Sequence, residues 1–285
     1  MKECMLYERL DGKDVRCDAC AHHCVIRDGK TGICRVRKNG SGKLYSLVYG
    51  LPISCAVDPI EKKPLFHFMP GTDVYSLGTV GCNFRCSFCQ NHDIVFSPSI
   101  VGEEMSPPMI VEDALSSGCA GIAYTYNEPT IFIEMVHDTA ALAKERSLKN
   151  VMVSNGYMTD KALDCLSGLI DAINIDLKSF KDDFYRRFCG ARLDPVLRSI
   201  RKAHSLGMHI EVTTLVIPGE NDSEEELRDI ARFISSVDKK IPWHVSRFFP
   251  MHKMNDRTIT PREKIMRACE IGRDEGLENV YAGNI

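Results

Sequence analysis

The stretch Gly81-Cys82-Asn83-Phe84-Arg85-Cys86-Ser87-Phe88-Cys89 sets three thiols at a C-x3-C-x2-C spacing, directly after a β-like run at 73–80. Three thiolates on so tight a loop suit three corners of a cubane [4Fe-4S] cluster and leave one iron without a protein ligand. Ordinary electron-transfer clusters take four cysteines, and an open coordination position is what catalytic metal sites keep. A zinc site with a distant fourth ligand, or three unrelated thiols, would use the same residues. The loop's place at a strand end constrains the fold, because parallel α/β proteins put their chemistry there.

The rest of the chain repeats that arrangement. β-like runs at 121–126, 150–154, 172–177, 209–217 and 243–249 alternate with helical stretches at 130–146, 159–169, 195–206 and 223–237. Ser223 followed by Glu226 is a capping-box signature that marks one helix start. A final helix at 261–275 and a short strand at 279–282 close the series. Such alternation implies a parallel sheet with crossover helices. Six or seven units suit a barrel, complete or partial, of the (β/α)6 type. Residues 1–70 lack the rhythm and read as a separate small cysteine-rich lobe, with 71–285 forming the α/β barrel domain.

Composition removes other classes. With 44% hydrophobic and 26% charged residues over 285 positions, disorder and fibrous architectures are excluded. A net charge of −3 with both signs dispersed gives no footprint for nucleic acid or an anionic membrane. No apolar run approaches the roughly 18 residues of a membrane span, and the N-terminus lacks a signal-peptide pattern. A soluble, cytoplasmic protein is expected. Thirteen cysteines in such a chain point to metal or catalysis rather than disulfides.

A second group, Cys17, Cys20, Cys24 and Cys34, supplies four thiolates. These could close a tetrahedral zinc site or ligate an auxiliary iron–sulfur cluster, with His22 or His23 as substitutes. The spacing resembles a zinc knuckle and favours a structural metal. The remaining cysteines (Cys4, Cys55, Cys119, Cys165, Cys189 and Cys269) read as small apolar residues, with Cys55 less settled.

The C-x3-C-x2-C loop, with the aromatic Phe88 before its last cysteine, resembles that of the radical S-adenosylmethionine (radical SAM) superfamily. The resemblance implies a [4Fe-4S] cluster on Cys82, Cys86 and Cys89 that chelates S-adenosylmethionine and cleaves it to a hydrogen-abstracting 5′-deoxyadenosyl radical. It extends to other strand ends. Tyr126-Asn127-Glu128-Pro129 stands where the family has Gly-Gly-Glu-Pro, which implies cofactor contacts at Asn127 and Glu128. An acceptor at Glu128 could bind the cofactor's ammonium, or Glu128 could simply be a helix-start carboxylate favoured by the dipole. Ser154-Asn155-Gly156 is similar to a ribose- and carboxylate-contacting stretch of glycyl-radical-enzyme activases, though Val153 replaces their acid. Asp176-Leu177-Lys178 matches their Asp-x-Lys. It reads as a lysine for the cofactor carboxylate held by Asp176, or as a surface ion pair. Thr214 lies in a strand resembling the one that flanks the adenine, where Thr213 replaces an activase arginine. His244 could orient the cofactor or be a structural histidine.

Three longer phrases, Asp58-Pro59-Ile60-Glu61-Lys62-Lys63-Pro64-Leu65, Cys189-Gly190-Ala191-Arg192-Leu193 and Trp243-His244-Val245-Ser246-Arg247-Phe248, look like the AmmeMemoRadiSam-system radical SAM enzymes. That group is related to pyruvate formate-lyase activating enzymes, and the resemblance covers nearly the whole chain. It implies a radical SAM enzyme acting on a protein or small molecule, possible service as a glycyl-radical-enzyme activase, and a reductant such as flavodoxin or ferredoxin. The activase option is weakened at Val153 and Thr213. The alternative is a non-catalytic iron–sulfur or zinc binding, redox-sensing module, which leaves Glu128, Asn155 and Lys178 at successive strand ends unexplained.

Overall fold

The computed structural model describes residues 1–285. Short antiparallel strands build the N-terminal lobe: β1 (Lys2–Glu3), β2 (Tyr7–Arg9), β3 (Val15–Cys17), β4 (Val25–Ile26), β5 (Arg37–Gly40) and β6 (Lys43–Ser46). They form two three-stranded sheets, ordered β1-β6-β5 and β2-β3-β4. The rest is organised by one eight-stranded sheet: β7 (Ser54–Pro59), β8 (Asp73–Gly78), β9 (Gly121–Tyr124), β10 (Lys149–Ser154), β11 (Ala172–Asp176), β12 (His209–Val216), β13 (Trp243–Arg247) and β14 (Val280–Gly283).

Strands β8 to β14 run parallel and follow one another in chain order, with no reversal of winding. Continuous winding in one direction is barrel topology rather than that of a doubly wound sheet. Here β7 and β14 are left as edges, so the sheet is a partial barrel and not a closed one. The strands are buried on both faces, which is why they read as almost unbroken apolar runs.

Strand β7 lies inside the stretch that the sequence reading assigns to the lobe, yet it pairs antiparallel with β8 from Ser54↔Gly78 to Pro59↔Asp73. It is a half-exposed edge strand with no crossover helix, so strand–helix alternation does not reveal it. The lobe also shares the main core, because Cys34 and Val36 pack into the same apolar cluster as Leu77, Phe84 and Ile131.

Helices Ile133–Glu145, Asp160–Leu166, Asp194–Ser205, Glu224–Val237 and Arg262–Asp274 cover the outer face. Ser223 caps its helix by accepting from Glu226 N–H, as its spacing predicts. The Glu226 carboxylate, however, turns to Ser179 and to Phe180 N–H instead of completing the box. The segment between β7 and β8 crosses the barrel interior: Asn174 Nδ2 donates to Pro64 O at 2.8 Å, and Glu211 accepts from the N–H groups of Phe66 and His67. No helix is long and apolar enough to cross a membrane.

Candidate functional site

A cavity of about 390 Å3 opens at the carboxyl ends of the parallel strands. That volume lies within the usual range of small-molecule sites. Cys82, Cys86, Cys89 and Phe88 line one part of it, with Glu128, Ser154, Asn155, Asp176 and Lys178 arriving from the ends of β9, β10 and β11.

The cysteine loop is held at three points. Before it, Asn127 Nδ2 donates to Gly81 O at 2.9 Å and to Thr79 Oγ1 at 3.0 Å, while Asn127 Oδ1 accepts from Thr79 N–H. At its start, Phe84 N–H donates to Cys82 Sγ at 3.4 Å, and Asn155 Nδ2 donates to Asn83 Oδ1 at 2.7 Å. At its middle, Arg85 N–H and Ser87 N–H donate to the carbonyl oxygens of Cys189 and Phe188 at 2.8 and 2.9 Å. Burial pushes the Cys82 thiol up and that of Cys89 up to about 11. The Cys86 thiol is lowered, first by the neighbouring Cys189 thiol and also by Lys178, against its burial. Buried thiols ionise readily when a cation shares the cavity, so this donor set suits a cationic cluster. Neither cysteine group draws three side chains around one point as ligands of a single ion. A cubane asks for something else, since each of its irons takes a different thiolate.

Glu128 is 1% exposed, not a surface helix-start carboxylate. It does cap the short 3-10 turn that begins at Pro129, accepting from Thr130 N–H at 3.0 Å. It also accepts from Ser154 Oγ and from Asn155 N–H at 2.8 Å, joining two strand-end loops. Burial raises its pKa despite those donors. Lys178 is likewise no surface ion pair: its side chain is 12% exposed and Nζ lies 2.8 Å from Asp176 Oδ2. It also stands 5.7 Å from the centre of the Phe88 ring. Burial opposes the ammonium, yet Asp176 and the thiols of Cys86 and Cys189 outweigh it and raise its pKa.

Three expected cofactor contacts, Thr214, His244 and Asn127, have their polar groups engaged by protein partners. Thr214 faces away from the cavity, donating to Leu177 O at 2.8 Å and accepting from Trp243 Nε1 at 2.9 Å. Its neighbour Thr213 lines the cavity instead, as strand alternation requires. His244 does not reach the cavity wall. It sits deeper in the barrel, with Nε2 2.6 Å from Glu211 Oε2 and its ring against Phe66 and Tyr281. Asn127 lines the cavity, but its amide is engaged by Thr79 and Gly81, so it positions the cysteine loop.

Sequence reasoning passed over Lys62, Lys63 and Tyr126, which line the same cavity. Asp58 gathers them, accepting from Lys62 Nζ, Lys63 Nζ and Tyr126 Oη at 3.2, 2.8 and 2.9 Å. Tyr126 adopts φ +66°, a left-handed conformation natural to the glycine it replaces. The available signal for the two lysines is the phrase 58–65, which enters the sequence reading only through its family resemblance. Cys17, Cys20, Cys24 and Cys34 meet around a second, much smaller pocket in the lobe.

Comparisons with known proteins agree with this geometry. Residues 76–234 match the family described as the Radical SAM superfamily. The uncharacterized protein MJ0808 of Methanocaldococcus jannaschii is 45% identical over 288 residues, spanning 100% of this chain and 86% of the relative. The pyruvate formate-lyase-activating enzyme of Staphylococcus epidermidis is 23% identical over 186 residues, 60% of this chain and 74% of that one. Among solved structures, a domain of the pyruvate-formate lyase-activating enzyme from Bacteroides vulgatus superposes with a TM-score of 0.51 at 19% identity, covering 58% of this chain and 99% of that one.

Proposed function

Because the chain belongs to the radical SAM superfamily and is related to pyruvate formate-lyase activases, we propose that it is a radical enzyme abstracting hydrogen from a protein or small-molecule substrate. Its cluster ligands are then Cys82, Cys86 and Cys89, and S-adenosylmethionine binds beside them. The observation that carries the reading is the sharing of one cavity by these three thiols with Glu128, Asn155 and Lys178 from three successive strand ends. When bound, the reduced cluster and S-adenosylmethionine would supply a 5′-deoxyadenosyl radical for hydrogen abstraction.

The chain's own residues hold and shield that chemistry. Lys178, held by Asp176, offers a buried cation for the cofactor carboxylate. Glu128 Oε2 keeps acceptor capacity toward the cavity for an ammonium, since Ser154 Oγ and Asn155 N–H occupy only part of it. Ser154 contributes mainly by fixing Glu128, and Asn155 by fixing Asn83 beside Cys82. Phe88 and Val153 give apolar wall that excludes water.

Likeness to an activating enzyme favours a protein substrate and a one-electron protein donor such as flavodoxin or ferredoxin, and the free thiols fit a reducing cytoplasm. Anaerobic reconstitution with iron and sulfide, followed by reduction in the presence of S-adenosylmethionine, tests the reading by the appearance of 5′-deoxyadenosine. An activase would also raise a glycyl-radical EPR doublet on its partner.

A further inference from the structure

The four lobe cysteines, Cys17, Cys20, Cys24 and Cys34, line one pocket, and none is in a disulfide. Two residues completing its wall carry buried donors that lack any partner, Arg37 Nε and Asn83 Nδ2. Both side chains are otherwise engaged. Arg37 grips Glu134 through both terminal nitrogens at 2.9 and 2.8 Å, and Asn83 Oδ1 accepts from Asn155. Buried N–H groups nearly always have an acceptor, so each orphan calls for one. The sulfides and thiolates of a cluster are acceptors of that kind, and such bonds tune cluster potentials.

The pocket abuts the Cys82 loop. Asn83 follows Cys82 in the chain and belongs to the wall of the lobe pocket, while Cys82 itself lines the main cavity. Gly81, at φ +87°, packs so tightly on the lobe that a Cβ there would lie 2.7 Å from the Cys34 carbonyl oxygen. His22 Nε2 stands 2.8 Å from Asn83 O. Val25 and Ile33, the chain neighbours of Cys24 and Cys34, are exposed, so the pocket stands between solvent and the Cys82 loop.

We propose that Cys17, Cys20, Cys24 and Cys34 ligate a second iron–sulfur cluster that relays electrons from a low-potential protein donor to the cluster on Cys82, Cys86 and Cys89. The inference rests on the radical reading of the main cavity. Each transfer moves one electron. The donor is oxidised as the second cluster is reduced, and the second cluster is reoxidised as the first is reduced, with no bond made or broken in the relay. Zinc would satisfy the same thiols but has no redox state to use. Placement against Cys82 therefore weighs against the structural metal that the knuckle-like spacing favours.

The test removes the first cluster's ligands. The triple variant Cys82→Ala, Cys86→Ala, Cys89→Ala, reconstituted anaerobically with iron and sulfide, is expected to retain both and to give an EPR signal on reduction. Zinc without sulfide, or no metal in a variant with parental circular dichroism, would overturn the proposal. The complementary variant Cys20→Ser, Cys24→Ser keeps the Cys82 loop. Its 5′-deoxyadenosine formation with dithionite is expected to persist, while that driven by a flavodoxin or ferredoxin falls at least tenfold. Equal loss with both donors, or loss with neither, contradicts a relay. Absence of 5′-deoxyadenosine from the parent protein would instead overturn the reading of the main cavity, and the iron count of the triple variant would still decide the second site.

Discussion

Ser154 donates its hydroxyl to both oxygens of Glu128, at 2.9 and 3.1 Å, and so ties the loop after β10 to the loop after β9. Together with Thr130 N–H and Asn155 N–H, it makes the buried carboxylate a staple between strand ends. Replacing Glu128 by Gln turns an amide donor toward donors. The expected cost is about 1–3 kcal/mol of stability, with S-adenosylmethionine affinity weakened at least tenfold. Urea unfolding and calorimetric titration check both. Unchanged affinity in the variant would remove Glu128 from the cofactor site.

Thr214 and Thr213 separate structure from binding. Thr214→Val strands the indole N–H of Trp243 and the Leu177 carbonyl, so it is expected to cost about 1–3 kcal/mol. Cleavage of S-adenosylmethionine by the folded fraction should be unaltered. Thr213→Val should do the reverse, raising the cofactor's apparent Kd with less effect on stability. Urea midpoints and 5′-deoxyadenosine yields for the pair are the measurements.

Strand ends were legible because parallel strands bury both faces and appear as unbroken apolar runs, each followed by a loop carrying Cys, Glu, Asn or Lys. That same burial hides which residue of a strand faces the interior, so the sequence points to Thr214 where Thr213 lines the cavity. His244 was ambiguous for a related reason. Its partner Glu211 lies one strand away at a deeper level of the barrel, and no local pattern links the two. Asp58 holds Lys63 from within its own phrase but reaches Tyr126 across a long sequence separation, and no local phrase assembles that second contact.

Glu211 sets an acid limit on stability. Burial pushes its carboxyl up, but hydrogen bonds with His209 and His244 and from the N–H groups of His67 and Phe66 together outweigh that and hold it at about 2, against the usual 4.5. A depressed carboxyl stabilises the fold above pH 4.5 and loses that contribution as pH falls toward 2. The full shift is worth up to about 3 kcal/mol. Unfolding free energies between pH 6 and 3 should fall more steeply for the parent than for Glu211→Gln. Parallel profiles would contradict the assignment.

The lobe is anchored by Arg37 and Glu134, a bidentate pair fully buried where lobe meets barrel. Arg37→Met leaves a buried carboxylate unpaired, which typically costs about 3–5 kcal/mol. The expected outcome is a lowered urea midpoint with protease cleavage appearing first within residues 1–50. Glu134→Gln combined with Arg37→Met should recover part of the loss, and failure to recover any would show that the pair itself is not what holds the lobe.

The most direct test of the account is the anaerobic formation of 5′-deoxyadenosine by the reconstituted, dithionite-reduced protein with S-adenosylmethionine. The account predicts product from the parent chain and none from Cys86→Ala. An intact, reducible cluster in the parent that yields no 5′-deoxyadenosine, or undiminished product from Cys86→Ala, would contradict it.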